Sequence, residues 1–126
     1  MKRTPYHLMG IAELAVGIVI LASIGCSNPT STPAKEFDSG PVAVGGHFEH
    51  VFGAAKTIAY HCIYHGGPGG VGMSGTLIVA AGGTAKRDTI QMNEATFSPV
   101  TLNATVGDTV VWVNGSSMAH TATSDN

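Results

Sequence analysis

The chain has 126 residues, only 11% of them charged and 17 of them glycine, with a formal net charge of −2. This length allows one domain, and few charges with many glycines suit a compact β protein rather than a disordered chain. Beyond Lys86-Arg87 there is no basic cluster to neutralise phosphates, which argues against nucleic acid as a partner.

The chain opens on a positive start, Met1-Lys2-Arg3, and residues 8–24 are apolar except for Glu13. This is the pattern of an export leader. The run closes at Leu21-Ala22-Ser23-Ile24-Gly25-Cys26, which resembles a bacterial lipoprotein cleavage site with Cys26 as the lipidated residue, although leucine is usual where Ser23 stands. An uncleaved anchor helix is the competing reading, because the run is about the minimum length for crossing a bilayer. Soluble secretion is the third. The reading places residues 1–26 as leader or anchor and 27–36, rich in Ser, Thr and Pro, as a flexible linker. Residues 37–126 are the domain, expected in the periplasm or on the extracytoplasmic face of a membrane.

From residue 37 onward, short β-type runs alternate with turn residues. Strands are expected at 48–52, at 57–61 leading into Cys62, at 75–81 and at 89–92. A run at 99–102 leads to the turn Val106-Gly107-Asp108. Residues 109–114 alternate large and small across two faces, and 120–124 would be a last strand. No helical period appears outside the leader. The fold class is therefore all-β, a sandwich of about 90 residues, a size that folds alone.

With Cys26 assigned to the leader, the domain holds one thiol, Cys62, with no partner for a disulfide. A lone exported thiol calls for an explanation, and ligation supplies one, since metal-bound thiolate is protected from oxidation. Cys62, His65 and Met73 follow one another at Cys-x2-His-x7-Met, and His120 lies far downstream. One thiolate, two imidazoles and a weak thioether are the donors of a mononuclear blue-copper site. Each donor has a plainer alternative: Cys62 as a buried hydrophobe, His65 as a surface histidine, Met73 as core filling.

Tyr60-His61-Cys62-Ile63-Tyr64-His65 and Gly72-Met73-Ser74-Gly75-Thr76-Leu77-Ile78-Val79 strongly resemble the C-terminal copper loop of the plastocyanin/azurin family, the cupredoxins. Phe97-Ser98-Pro99, Val106-Gly107-Asp108-Thr109-Val110-Val111-Trp112-Val113-Asn114 and His120-Thr121 resemble that family's N-terminal half. The resemblance implies a Greek-key β-sandwich with one type 1 copper held by Cys62, His65, Met73 and His120. It further implies electron transfer through His65 to redox partner proteins, with Pro41, Pro68, Val71 and Met118 as candidates for an apolar docking patch. Where the family places an asparagine or similar donor beside its first histidine, Thr121 stands here, so a backbone N–H to the cysteine sulfur is expected. Asn114 and Ser116 are candidates to pin the loop leading to His120. The stretch from His65 to Met73 is longer than usual, and Gly66-Gly67-Pro68-Gly69-Gly70 are expected to fold out of the way.

The two halves stand in inverted order. Thr123-Ser124-Asp125-Asn126 followed by Phe37-Asp38-Ser39-Gly40 would restore the family's sequence, which is what circular permutation leaves behind, with residues 80–88 as the new connector. A piece of a tandem array and a domain-swapped dimer are the alternatives to a permuted monomer. Functionally, the first expectation is a membrane-tethered electron carrier that is not an enzyme. A copper reductase subunit using His61 for a second copper and a copper-delivery protein are the others. A metal-free adhesin-like sandwich would leave the donor set unexplained. His61 is expected to point away from the copper, with His47 and His50 at the surface.

Overall fold

The computed structural model describes residues 33–126, and their regular structure is entirely β. The leader, Cys26 and most of the linker lie outside the described residues. Among the described residues, no helix is long and apolar enough to cross a membrane. Eight strands form: β1 His47–Val51, β2 Lys56–Gly67, β3 Val71–Ala80, β4 Arg87–Met92, β5 Phe97–Ser98, β6 Thr101–Thr105, β7 Thr109–Asn114 and β8 Thr123–Ser124.

They assemble as two four-stranded sheets, one ordered β1-β7-β4-β5 and the other β6-β3-β2-β8. Each sheet mixes directions: β3 runs parallel to β6 and β4 parallel to β7, while the remaining neighbours are antiparallel. Parallel neighbours cannot be joined by a tight hairpin, so the chain must cross between layers to connect them. One crossing runs at 81–86, from β3 to β4, and another at the turn between β6 and β7. Both sheets turn their buried residues onto one core. Leu77, Val79 and Tyr60 come from one layer, Ile90, Val110 and Trp112 from the other, and Phe37 and Phe52 pack beside them. The aromatic centre is tight: Tyr60 lies 4.7 Å from Phe97 and Phe37 lies 4.9 Å from Trp112, centroid to centroid. Gly75 makes room for this, because a Cβ there would stand 2.5 Å from Cζ of Tyr60.

The buried carboxylate of Asp108 fastens the crossing segments. It accepts the backbone N–H of Thr105 at 2.7 Å and that of Lys86 at 2.9 Å. The 81–86 connector is thereby tied to the β6–β7 turn, a tie strengthened where Val106 N–H donates to Ala80 at 2.9 Å. Along β3, Ala80 is seven steps beyond Met73, about 23 Å at roughly 3.3 Å per residue, so the connector leaves from the end remote from Met73.

Three expectations of the sequence need correction. First, β2 does not stop at His61 but runs on to Gly67 and returns as β3, so Gly66 and Gly67 are strand and only Pro68, Gly69 and Gly70 form the tip. The register is interrupted between His61 and Gly66, a bulge that contains Cys62 and His65. Second, 120–124 is a strand only at Thr123–Ser124. His120 and Ala122 bond instead to the segment before β1, with Val42 N–H donating to His120 at 2.8 Å and Ser39 N–H to Ala122 at 3.0 Å. Third, the run at 99–102 is strand only from Thr101, where β6 begins and continues to Thr105, while Phe97–Ser98 forms the short β5 in the other sheet, with Pro99 and Val100 between the two. A proline, lacking the amide proton, belongs at such a crossing.

Candidate metal centre

Cys62 points inward from β2 in line with Tyr60 and is fully buried. Its Sγ lies 3.5 Å from Nδ1 of His65 and 3.6 Å from Nδ1 of His120, and the three donor atoms all fall within 4.8 Å of one another. His65 is half-buried at the mouth, whereas His120 is wholly enclosed. Their rings face each other at 4.8 Å between centroids. Two donors about 2.0–2.3 Å from a shared ion and roughly 110° apart stand about 3.5 Å from each other. The observed spacings therefore match three atoms converging on one metal ion.

The electrostatics favour the same use. Burial, and next the neighbouring imidazole of His65, hold His120 below the ordinary histidine value, against an opposing pull from Glu94. A neutral imidazole keeps a lone pair free, which ligation requires. His120 Nε2 is buried without a hydrogen-bond partner, so the ring's close polar contact is through Nδ1. Cys62 is too deeply enclosed for a substrate to meet its sulfur, which argues against a nucleophilic cysteine.

The surroundings brace the donors. Thr121 N–H donates to Cys62 Sγ at 3.4 Å, the backbone contact expected at this position. The Thr121 hydroxyl accepts from Ile63 N–H at 2.9 Å and so occupies the amide next to the cysteine. Asn114, fully buried, donates to the carbonyls of Val42 at 2.9 Å and Met118 at 2.8 Å, while its own carbonyl accepts from Ser116 N–H and Oγ. This knot fixes the loop that delivers His120. Glu94 accepts from Ser117 at N and Oγ, pinning the same loop from outside.

Met73 sits on β3 beside Ser74, the residue that pairs with His61, and is buried in the same core cluster as Cys62. His61 takes no part in the three-donor cluster: its Nδ1–H donates to Asp125 Oδ1 at 2.6 Å. His47 is exposed, and His50 lies 3.5 Å from Glu36. Pro41, Pro68, Val71 and Met118 are all exposed, as are Ile63 and Tyr64 between the cysteine and His65. Asp125 and Glu94 carry no signal in the sequence, because their partners are 20 or more positions away and neither lies in a motif.

No family model, curated protein or solved structure matches this chain. Fold and site together define an all-β, two-sheet domain with a buried Cys/His/His cluster able to hold a metal ion.

Proposed function

We propose that this chain is a blue (type 1) copper protein of the cupredoxin kind, circularly permuted, that carries single electrons between redox partners. The observation that bears most weight is the convergence of Cys62, His65 and His120 at ion-binding distances inside a β framework. Cysteine and two histidines with a weak methionine is the donor set that selects copper for electron transfer. Bound there, copper would alternate between Cu(I) and Cu(II), supplying one electron per cycle.

The protein's part is to hold the donors still. Cys62 and His65 come from one bulged strand, His120 from a loop knotted by Asn114, and the Thr121 amide restrains the sulfur. Little rearrangement is then needed when charge changes. Met73 would supply a weak thioether donor, and His65, the least buried of the three clustered donors, would be the path to a partner docking on the apolar rim. Such contacts belong to the small, short-lived class of interface.

Permutation is supported by the pairing of the domain's two ends. Asp38 bridges to Thr123 and Val42 to His120, so segments that would be consecutive in the family's order lie side by side. The reading keeps the chain a carrier rather than an enzyme, because His61, which a second copper would need, is engaged by Asp125. Export, and a tether through lipid on Cys26 or through the apolar run itself, are part of the same proposal.

The test is the optical and spin-resonance spectrum of the full chain loaded with copper. An intense visible charge-transfer band with narrow hyperfine splitting is expected, lost in Cys62→Ser and altered in His120→Ala. A pale spectrum of ordinary tetragonal copper would sink the proposal.

A further inference from the structure

The bulged hairpin that carries Cys62 and His65 ends in a tip with little to hold it. Gly69 and Gly70 both adopt positive φ, 78° and 84°, and the tip is exposed. Residues without side chains bring no packing of their own, so a glycine tip stays mobile unless something outside the hairpin restrains it.

Asp125 is that restraint. Its backbone N–H donates to Ala59 at 2.8 Å, which seats it on β2 ahead of the bulge. Oδ1 accepts from His61 Nδ1 at 2.6 Å, and Oδ2 accepts from Gly69 N–H at 2.8 Å. One carboxylate thus bridges the residue just before Cys62 and the hairpin tip just beyond His65. Within that span the β2–β3 register is interrupted at 62–65, where the ladder supplies no pairing, and only Gly66 and Gly67 pair again with Gly72 and Val71 before the tip. The Asp125 side chain is only 16% exposed, and its bond to His61 is partly buried, whereas the bond to Gly69 lies at the exposed tip.

We propose that Asp125 is a positioning residue of the metal centre, setting the place of His65 relative to Cys62 by clamping the hairpin just ahead of the bulge and again at the tip beyond it. This rests on the copper reading for the identity of the ion. It goes beyond that reading in assigning the ligand geometry to a residue outside the donor set. Removing the clamp leaves the 56–61 pairing with β3 intact, because that ladder is backbone to backbone. The framework persists and the hairpin beyond it loosens.

The experiment compares the full-length wild type with Asp125→Ala, Asp125→Asn and Glu49→Ala. The last removes an equal charge from an exposed side chain paired with Arg87, away from the hairpin. In metal-free protein, amide exchange at Gly69 should quicken on the order of tenfold in Asp125→Ala while amides of the 74–79 ladder keep their rates. Copper affinity, by competition with a chelator, should fall about 10–100-fold, as for loss of partners that orient ligands, with a broadened spin-resonance signal. Asp125→Asn keeps one acceptor oxygen and should fall between. Glu49→Ala should match wild type in both readouts.

Unchanged copper affinity in Asp125→Ala overturns the proposal, even if Gly69 exchange quickens, because the clamp would then hold the tip without positioning a ligand. An equal loss of affinity in Glu49→Ala overturns it too, by tracing the effect to net charge. If Asp125→Ala fails to fold, Asp125→Asn decides the matter on the same two readouts. A wild type without the blue signal overturns the copper reading, and is distinguishable because Gly69 exchange reports on the clamp without metal.

Discussion

Two adjacent glycines at the neck of the ligand hairpin should respond oppositely to the same substitution. A Cβ on Gly66 would lie 2.6 Å from the carbonyl oxygens of Met73 and Val71 and 2.9 Å from the amide nitrogen of Met73. All three are backbone atoms of β3, which cannot swing aside as a side-chain end can. Reaching an ordinary carbon–oxygen contact of about 3.4 Å requires the strands to part by nearly 1 Å, and forced overpacking of this kind costs about 1–3 kcal/mol. On Gly67 the nearest atom would be Cβ of Val71 at 4.0 Å, an open fit. There Gly→Ala should be neutral or stabilising by about 0.4–1 kcal/mol, through a less flexible unfolded chain. At roughly 4–8 °C per kcal/mol for a domain of this size, Gly66→Ala should melt about 4–24 °C below wild type and Gly67→Ala at or slightly above it. Calorimetry on the metal-free chain checks this. The copper spectrum adds a second reading, since parting β2 from β3 displaces Met73 from the bulge and should alter the signal of Gly66→Ala alone. Equal melting temperatures for the two variants would refute the close crossing of the strands.

Asp108 makes stability depend on acid. Hydrogen bonds from the amides of Thr105 and then Lys86, with the Lys86 ammonium nearby, hold its carboxyl below the ordinary aspartate range. A depressed carboxylate stabilises above its unfolded value and loses that contribution as pH falls through the folded one. The stability gap between wild type and Asp108→Asn, followed by urea unfolding, should therefore narrow as pH drops from about 6 towards 3. For Asn114→Ala, four hydrogen bonds around the His120 loop are lost at a fully buried position, and unfolding should show a deficit of about 1–3 kcal/mol with faster copper release.

The motif residues were legible because their signal is local. A cysteine three positions before a histidine on a β-type run is visible in the text, and the strand at 109–114 declares itself by its own alternation. Residues held by partners remote in the chain were not. Gly66 and Gly67 read as loop by composition, yet they pair because Val71 and Gly72 fold back across them, a fact of the hairpin and not of either glycine. The last strand was overdrawn for a similar reason. His120-Thr121-Ala122 has β propensity, but the bulge in β2 turns away the partner it would need, and Ile63 N–H goes to a threonine hydroxyl instead. Asp125 was invisible altogether, since its importance lies in two hydrogen bonds across 64 and 56 positions.

The placement of the donors shows why the permuted order proposed above would cost the site little. Cys62 and His65 are fixed by one hairpin, while His120 reaches them across 58 positions and is held by Val42, Asn114 and the Thr121 amide, all contacts of the finished fold. A site of this kind depends on which surfaces meet, not on the order in which the chain supplies them. A permutation would have to preserve the pairing of the segments it separates and a short path between those it joins. The bridges Asp38 to Thr123 and Val42 to His120 meet the first condition beside the donors. The Asp108-tied connector at 81–86 meets the second at the far end of β3. The segment that follows His120 also carries Asp125, whose carboxylate reaches the hairpin tip. A longer, glycine-rich ligand loop can then be kept in place by that external carboxylate rather than by being short.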